Sequence, residues 1–227
     1  MAYLNQQSRG LYCPDLEHDS CGIGFVASLK GEKSHAIIEN ALSMLTCMEH
    51  RGGTGFDVRS GDGAGVLIQI PDAMLRDSMA EKGVHLPQPG DYAVGMVFFP
   101  GDADLREACR GVLVHNAERL GIPLLGWRLV PKDNSTLGQA SLEKEPQIEQ
   151  VFFARPAELD QQTFERKLYV LRNYTAHRIR ETLQGAEEDF YVASLSTRTI
   201  VYKGQFTTAQ VREYYLDLQN EKTVSAL

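Results

Sequence analysis

Six glycines fall between Arg51 and Gly65, first in Arg51-Gly52-Gly53-Thr54-Gly55 and then in Ser60-Gly61-Asp62-Gly63-Ala64-Gly65. Neither a helix nor a strand persists through that density, because glycine loses the most backbone freedom on ordering and offers no side chain to pack. What the stretch can form is a loop of tight turns, or a pocket that meets a ligand through main-chain groups. It separates two regular patterns. From Lys33 to Glu49 the apolar set Ile37, Ala41, Met44, Leu45 and Met48 recurs at helical spacing, and Val66 to Ile70 reads as a strand stopped by Pro71. A nucleotide cradle is a minor alternative for the loop. Its order is G-x-G-x-G, no Lys-Ser or Lys-Thr follows, and so it is neither a Walker A motif nor a complete GxGxxG.

Beyond the loop, helices and strands alternate. The patterns predict a helix over 72–82, strands over 91–99 and 123–130 with a helix over 102–120 between them, a loop through Pro131, Asn134 and Gly138, and a strand over 147–154. A long helix fits 160–184, with Phe164, Leu168, Leu171, Thr175, Ile179 and Leu183 on one face. A strand pair follows at 190–195 and 199–202, and a last helix starts at Thr207 or Thr208 and runs through Val211, Tyr214, Tyr215 and Leu218. With no internal repeat or low-complexity linker, the expectation is a leader over 1–20 and one domain over 21–227. The final Thr223-Val224-Ser225-Ala226-Leu227 resumes an apolar pattern and reads as cut short.

Composition narrows the class. At 227 residues the chain can bury a sizeable core, and a net charge of -7 without a basic cluster argues against a nucleic-acid surface. The apolar run from Ala93 to Pro100 is far short of the roughly 20 residues that a membrane span needs. Residues 1–20 lack the cationic start and apolar centre of a secretory signal. Cys13, Cys21, Cys47 and Cys109 show no CxxC spacing and match no common zinc site, so the expected compartment is the reducing cytoplasm. Cys47 falls on the apolar stripe of its helix and Cys109 in another helical segment, both read as small core residues. Cys13, in Leu11-Tyr12-Cys13-Pro14, is a decoy thiol within the leader.

Cys21-Gly22 opens Cys21-Gly22-Ile23-Gly24-Phe25-Val26-Ala27, where glycines alternate with apolar residues as in a buried strand over 22–29 that something must approach closely. A single proteolytic cut before Cys21 would make it an N-terminal nucleophile, its thiol attacking while the freed α-amine, with a pKa near ~7.7–8.0, accepts the proton. The alternative is plain packing, since cysteine is among the most often buried residues.

Three motifs in order, Glu17-His18-Asp19-Ser20-Cys21-Gly22-Ile23-Gly24-Phe25, Glu49-His50-Arg51-Gly52 and Ser60-Gly61-Asp62-Gly63-Ala64-Gly65 with Ile68-Gln69-Ile70-Pro71, closely resemble the start of glutamate synthase large subunits. That start is a class II glutamine amidotransferase domain, and the resemblance runs from about Leu11 to the last residue. It implies an α+β, four-layer αββα N-terminal nucleophile hydrolase fold, here C-terminally incomplete, with two antiparallel sheets face to face and helices outside. It also implies removal of residues 1–20, attack of Cys21 on the glutamine side-chain amide, a γ-glutamyl thioester, release of ammonia and hydrolysis to glutamate. Arg51 is then expected to steady the active-site wall, against the alternative of a surface salt bridge, and the Gly52 backbone to orient the Cys21 amine. Asp62 is expected to be a turn aspartate.

The resemblance further implies FMN and an iron-sulfur cluster for the full-length enzyme, though neither for this chain. The implied partners are glutamine, the remainder of the synthase chain, and a small reductase subunit or ferredoxin, with the electron donor left open. Segments that supply the substrate clamp and the oxyanion donors in the family are missing: the chain has no Asn-Gly and no Arg-Phe dipeptide. One lost oxyanion donor lowers turnover by ~10²- to 10³-fold. The expectation is a chain inactive alone, and the alternative is a non-catalytic interaction or regulatory module.

Overall fold

The computed structural model describes residues 22–54, 57–186 and 189–227. Its elements are α1 (His35–Cys47), β1 (Ala64–Gln69), α2 (Asp72–Ala80), β2 (Tyr92–Phe99), α3 (Ala103–Arg119), β3 (Leu124–Leu129), α4 (Gln139–Glu143), β4 (Gln147–Ala154), α5 (Gln161–Thr182), β5 (Tyr191–Ser196), β6 (Thr199–Gly204) and α6 (Gln210–Tyr214). Two further 3₁₀ turns cover Glu49–Arg51 and Leu216–Gln219. Every strand pairing is antiparallel: one sheet runs β3-β4-β2-β5 and a smaller one pairs β1 with β6.

The period-2 geometry of β2 and β4 builds two cores at once. Tyr92, Val94 and Met96 of β2, with Ile148 and Phe152 of β4, face the smaller sheet and pack with Ile68, Ile200 and Tyr202. Ala93, Val97 and Phe99, with Val151 and Phe153, face the other way and meet Cys109, Leu113, Phe164, Leu168 and Leu171 of α3 and α5. The sheets thus pack face to face with helices outside the larger one, and α1 packs against β1. This is the expected α+β arrangement. The long helices start where the sequence provides acceptors, since Asp102 takes the N–H groups of Asp104 and Leu105, and Asp160 takes that of Thr163.

Four expectations are corrected. Residues 22–28 form no strand, and Ile23, Phe25 and Leu29 are 93%, 83% and 104% exposed, because among the described residues no strand pairs with them. The alternation is used differently: glycines face α1, where a Cβ on Gly24 would fall 2.5 Å from Sδ of Met44. The helix α1 buries Ile38 and Leu42 in the core instead of the Ile37 and Met44 stripe, since Met44 and Met48 lie under the 22–24 segment. That rotation leaves Cys47 exposed, whereas Cys109 is buried as expected and its thiol is pushed up to about 11 by burial. The last helix breaks at Tyr215, whose extended backbone bridges to Lys132 while Leu216 N–H donates to Pro131 C=O (3.3 Å).

A charged pair sits between the sheets. Arg128 of β3 donates through Nη2 and Nη1 to Asp217 Oδ1 (2.7 Å) and Oδ2 (2.8 Å), through Nη1 to Gln150 (2.9 Å) and through Nε to Ser78 (2.7 Å). Both side chains are almost wholly buried. Removing one member strands the other charge, so Arg128→Met should lower unfolding stability by about 3–5 kcal/mol, with the double variant Arg128→Met/Asp217→Leu losing less than the two singles together. Urea unfolding of the purified chain measures this, and a wild-type midpoint for Arg128→Met would refute it.

Candidate active site

Cys21 and the leader 1–20 lie outside the described residues, but Gly22, the neighbour of Cys21, does not. A Cβ on Gly22 would sit 3.2 Å from Met48 Sδ and 3.5 Å from Arg51 Cβ. The segment leading from the candidate nucleophile is therefore laid on the end of α1 and on the turn that carries Arg51. Gly22 lies 26 positions from Met48 and 29 from Arg51 along the chain, and the fold brings them together.

That turn is built from α1 outward. His50 Nδ1 lies 3.1 Å from Cys47 C=O, Arg51 N–H donates to Met48 C=O (2.8 Å), and Gly52 N–H donates to Glu49 C=O (3.0 Å). Gly52 itself is extended (φ -92°, ψ 160°), and a Cβ there would make only ordinary contacts, the nearest at 3.5 Å. Nothing in its backbone or packing demands glycine. Arg51 is exposed.

Asp62, expected as a turn aspartate, reaches across the loop. Its Oδ2 accepts the Gly53 N–H (2.8 Å) while its own N–H donates to Gly53 C=O (3.1 Å), and Thr54 bridges Gly61. The same geometry weakens the nucleotide-cradle reading. The Gly52 and Gly53 N–H groups are already bonded, and one of their partners is a carboxylate that would repel phosphate.

The far side of the loop is fixed by residues the sequence reading missed. Buried Gln210 donates through Nε2 to Arg59 C=O and Thr136 C=O (both 2.8 Å), and its Oε1 accepts the Thr207 N–H (2.8 Å). Gly138 N–H donates to Arg59 C=O (3.2 Å), and a Cβ on Gly138 would overlap Asp57 Oδ2 at 2.1 Å. Asp57 is held below the usual carboxylate range by the Arg59 N–H, which donates to its Oδ1. Gly61 presses on the Phe206–Thr207 backbone, where a Cβ would lie 2.1 Å from Phe206 O. No sequence period marks such contacts; only the glycine density hinted at close approach.

Among the described residues no three His, Cys, Asp or Glu side chains are placed to hold a metal ion, and Cys47 and Cys109 lie apart, one exposed and one in the α3 core. Two thiols set apart in this way do not fit an iron-sulfur cluster. Among the described residues also, no helix is long and apolar enough to cross a membrane.

A glycine-rich turn thus lies beside Gly22, the neighbour of the candidate N-terminal cysteine, on paired antiparallel sheets. The family model of class II glutamine amidotransferases matches residues 21–227, and the chain belongs to that family. Within it the chain is similar to glutamate synthases. It is 44% identical over 225 residues to glutamate synthase (NADH) of Schizosaccharomyces pombe, covering 96% of this chain and 10% of that protein. It is 45% identical over 222 residues to the glutamate synthase (NADPH) large chain of Bacillus subtilis, covering 97% and 14%. With ferredoxin-dependent glutamate synthase 2 of Synechocystis it shares 39% over 204 residues, 90% of this chain and 13% of that one. The chain thus spans 10–14% of the length of these relatives.

The close packing of the loop gives a direct test. Gly61→Ala should cost about 1–3 kcal/mol, because the new methyl must displace main chain. Gly111→Ala, in open space on the exposed side of α3, should instead stabilise by roughly 0.5–1 kcal/mol. Thermal unfolding of both variants decides it: equal effects would mean that Gly61 is not wedged.

Proposed function

We propose that this chain is the glutaminase portion of a glutamate synthase, in which Cys21 becomes the mature N-terminus and releases ammonia from glutamine. The observation that carries the reading is the meeting of Gly22 with the Glu49–Arg51 turn at the end of α1, in a chain whose family match begins at residue 21. While residue 20 is attached, the nitrogen of Cys21 is an amide and cannot act as a base. Cleavage converts it to an amine that takes the thiol proton. The thiolate sulfur then adds to the side-chain carbonyl carbon of glutamine, the C–N bond breaks, and ammonia leaves with a proton returned by the α-ammonium. Water next attacks the thioester, the amine accepting its proton, and glutamate is released with the thiol restored.

Arg51 steadies the wall beside the nucleophile. For Gly52 the geometry narrows the role: its N–H is taken by Glu49, so its carbonyl is the group able to accept a hydrogen bond from the Cys21 amine. The larger enzyme would add FMN, an iron-sulfur cluster and an electron donor, either a reductase subunit or ferredoxin, outside this chain. The free thiols Cys47 and Cys109 fit a reducing cytoplasm.

By itself the chain should turn over glutamine slowly, since the segment that follows the nucleophile is held through Gly22 and Gly24 against α1 and its turn, while Ile23 and Phe25 stand in solvent. Glutamate release by the purified chain at the rate of an intact amidotransferase would refute this. In the full-length protein, mass spectrometry should find an N-terminus at Cys21, and Cys21→Ala should abolish glutamine-dependent synthesis while sparing ammonia-dependent synthesis. Retained use of glutamine by Cys21→Ala would overturn the assignment.

A further inference from the structure

We infer that Asp62 is a positioning residue for the Cys21 nucleophile, acting through a carboxylate clasp on the Gly52-Gly53 turn; the inference rests on the glutaminase reading above. Three observations form a continuous mechanical path. Asp62 and Gly53 exchange two hydrogen bonds, one of them from a charged acceptor to a main-chain N–H (2.8 Å), the stronger kind. The same carboxylate covers both glycines: a Cβ on Gly53 would lie 3.2 Å from Oδ2, and one on Gly52 3.6 Å from Oδ1. Through Gly52 N–H on Glu49 C=O this turn is continuous with Arg51, whose Cβ abuts the Gly22 position.

What makes the clasp a lever is its anchorage. Asp62 follows Gly61, which is wedged against the Phe206–Thr207 backbone, and precedes β1, whose Ala64 is paired with Gly204. The loop behind it is tied by Gln210 to Arg59 and Thr136. Asp62 thus joins a fixed part of the sandwich to a turn that would otherwise hang from the end of α1. The nucleophile segment has no sheet neighbour among the described residues, so the turn is one of the few surfaces that can hold it. A shift of about 1 Å in a reacting group costs as much as ~10²-fold in rate.

The test uses the full-length, processed enzyme and a glutamine-shaped chloromethyl ketone, with alkylation at Cys21 followed by peptide mass spectrometry. Iodoacetamide, which needs a thiolate but no bound glutamine frame, is the comparison reagent. Asp62→Ala should slow chloroketone labelling of Cys21 and lower glutamine kcat/KM by about 10- to 100-fold, with iodoacetamide labelling within about threefold of wild type. Asp62→Asn keeps an acceptor for the Gly53 N–H and should restore most of the loss, a rescue that general destabilisation would not give. If Asp62→Ala does not fold or is not processed, Asp62→Glu serves instead, since its extra methylene carries the carboxylate off Gly53 and should reduce chloroketone labelling in the same direction. Wild-type labelling rates in Asp62→Ala, or in Asp62→Glu where it serves in its place, would overturn the inference. A wild-type enzyme that the chloroketone does not label at Cys21 would instead overturn the glutaminase reading itself.

Discussion

The buried contact of Arg128 with Asp217 is the constraint on which the sandwich depends. A guanidinium placed between two sheets is tolerated only if its donors are met, and here α2 and β4 each supply an acceptor to the Arg128 side chain of β3 while the Leu216–Gln219 turn supplies the counter-charge. The smaller sheet joins through Tyr202, whose hydroxyl donates to Asp217 Oδ2 (3.1 Å). Burial alone would push the Arg128 pKa down, and Asp217 more than offsets it, so the guanidinium stays charged and its value lies above the ordinary one. Apolar residues of similar volume could fill the same space. Unlike them, a bidentate pair accepts only one relative placement of the elements that meet there, and so it sets how the β1–β6 pair lies on the larger sheet.

That placement matters for the site because the glycine loop hangs from the smaller sheet. Where β6 ends at Gly204, the chain turns through Phe206 and Thr207 and presses on Gly61, and three residues later Gln210 takes hold of Arg59 and Thr136. Phe206 is itself buried against Tyr214 and Tyr215, and Tyr215 donates its hydroxyl to Lys203 C=O (2.7 Å). The loop is therefore stiff on the side of the core. On the other side its contacts with the 22–24 segment run through methionines, which are adaptable side chains. A rigid turn facing a compliant segment would suit the proposed site, whose N-terminus has to settle after cleavage.

Much of this frame was legible from the residues. The β2 and β4 runs were legible as strands and are buried on both faces, and the Phe164-Leu168-Leu171-Thr175-Ile179 face of α5 announced itself by period and is buried throughout. What period could not convey is pairing. The Gly22–Leu29 alternation looks the same whether or not a neighbouring strand exists, and among the described residues none does. The rotation of α1 was misread because methionine counts as apolar wherever it points, and two methionines serve the nucleophile segment while Ile38 and Leu42 serve the core. Arg51 and Gly52 were singled out by a motif, and the fold sets Arg51 Cβ against the Gly22 position. Asp62 was expected only as a turn aspartate and Gln210 was not singled out, because their bonds run to main-chain partners up to 151 positions away and leave no pattern of side-chain types.

The hydrogen bonds of the turn also say which chemistry it cannot perform. A tetrahedral intermediate on the glutamine amide needs N–H donors aimed at a developing oxyanion and uncommitted before the reaction. The Gly52 and Gly53 amides, the obvious donors of a glycine-rich turn, are bonded to Glu49 and Asp62, and freeing Gly53 would open a charge-assisted bond at the moment of catalysis. On the proposed glutaminase reading the turn would serve as a clamp for the nucleophile, and the oxyanion would be met by groups outside residues 52–53. Division of labour of this kind would let a stiff glycine loop sit beside the Gly22 segment without itself being an oxyanion hole. The amides that give the turn its shape are the ones the chemistry would otherwise have used.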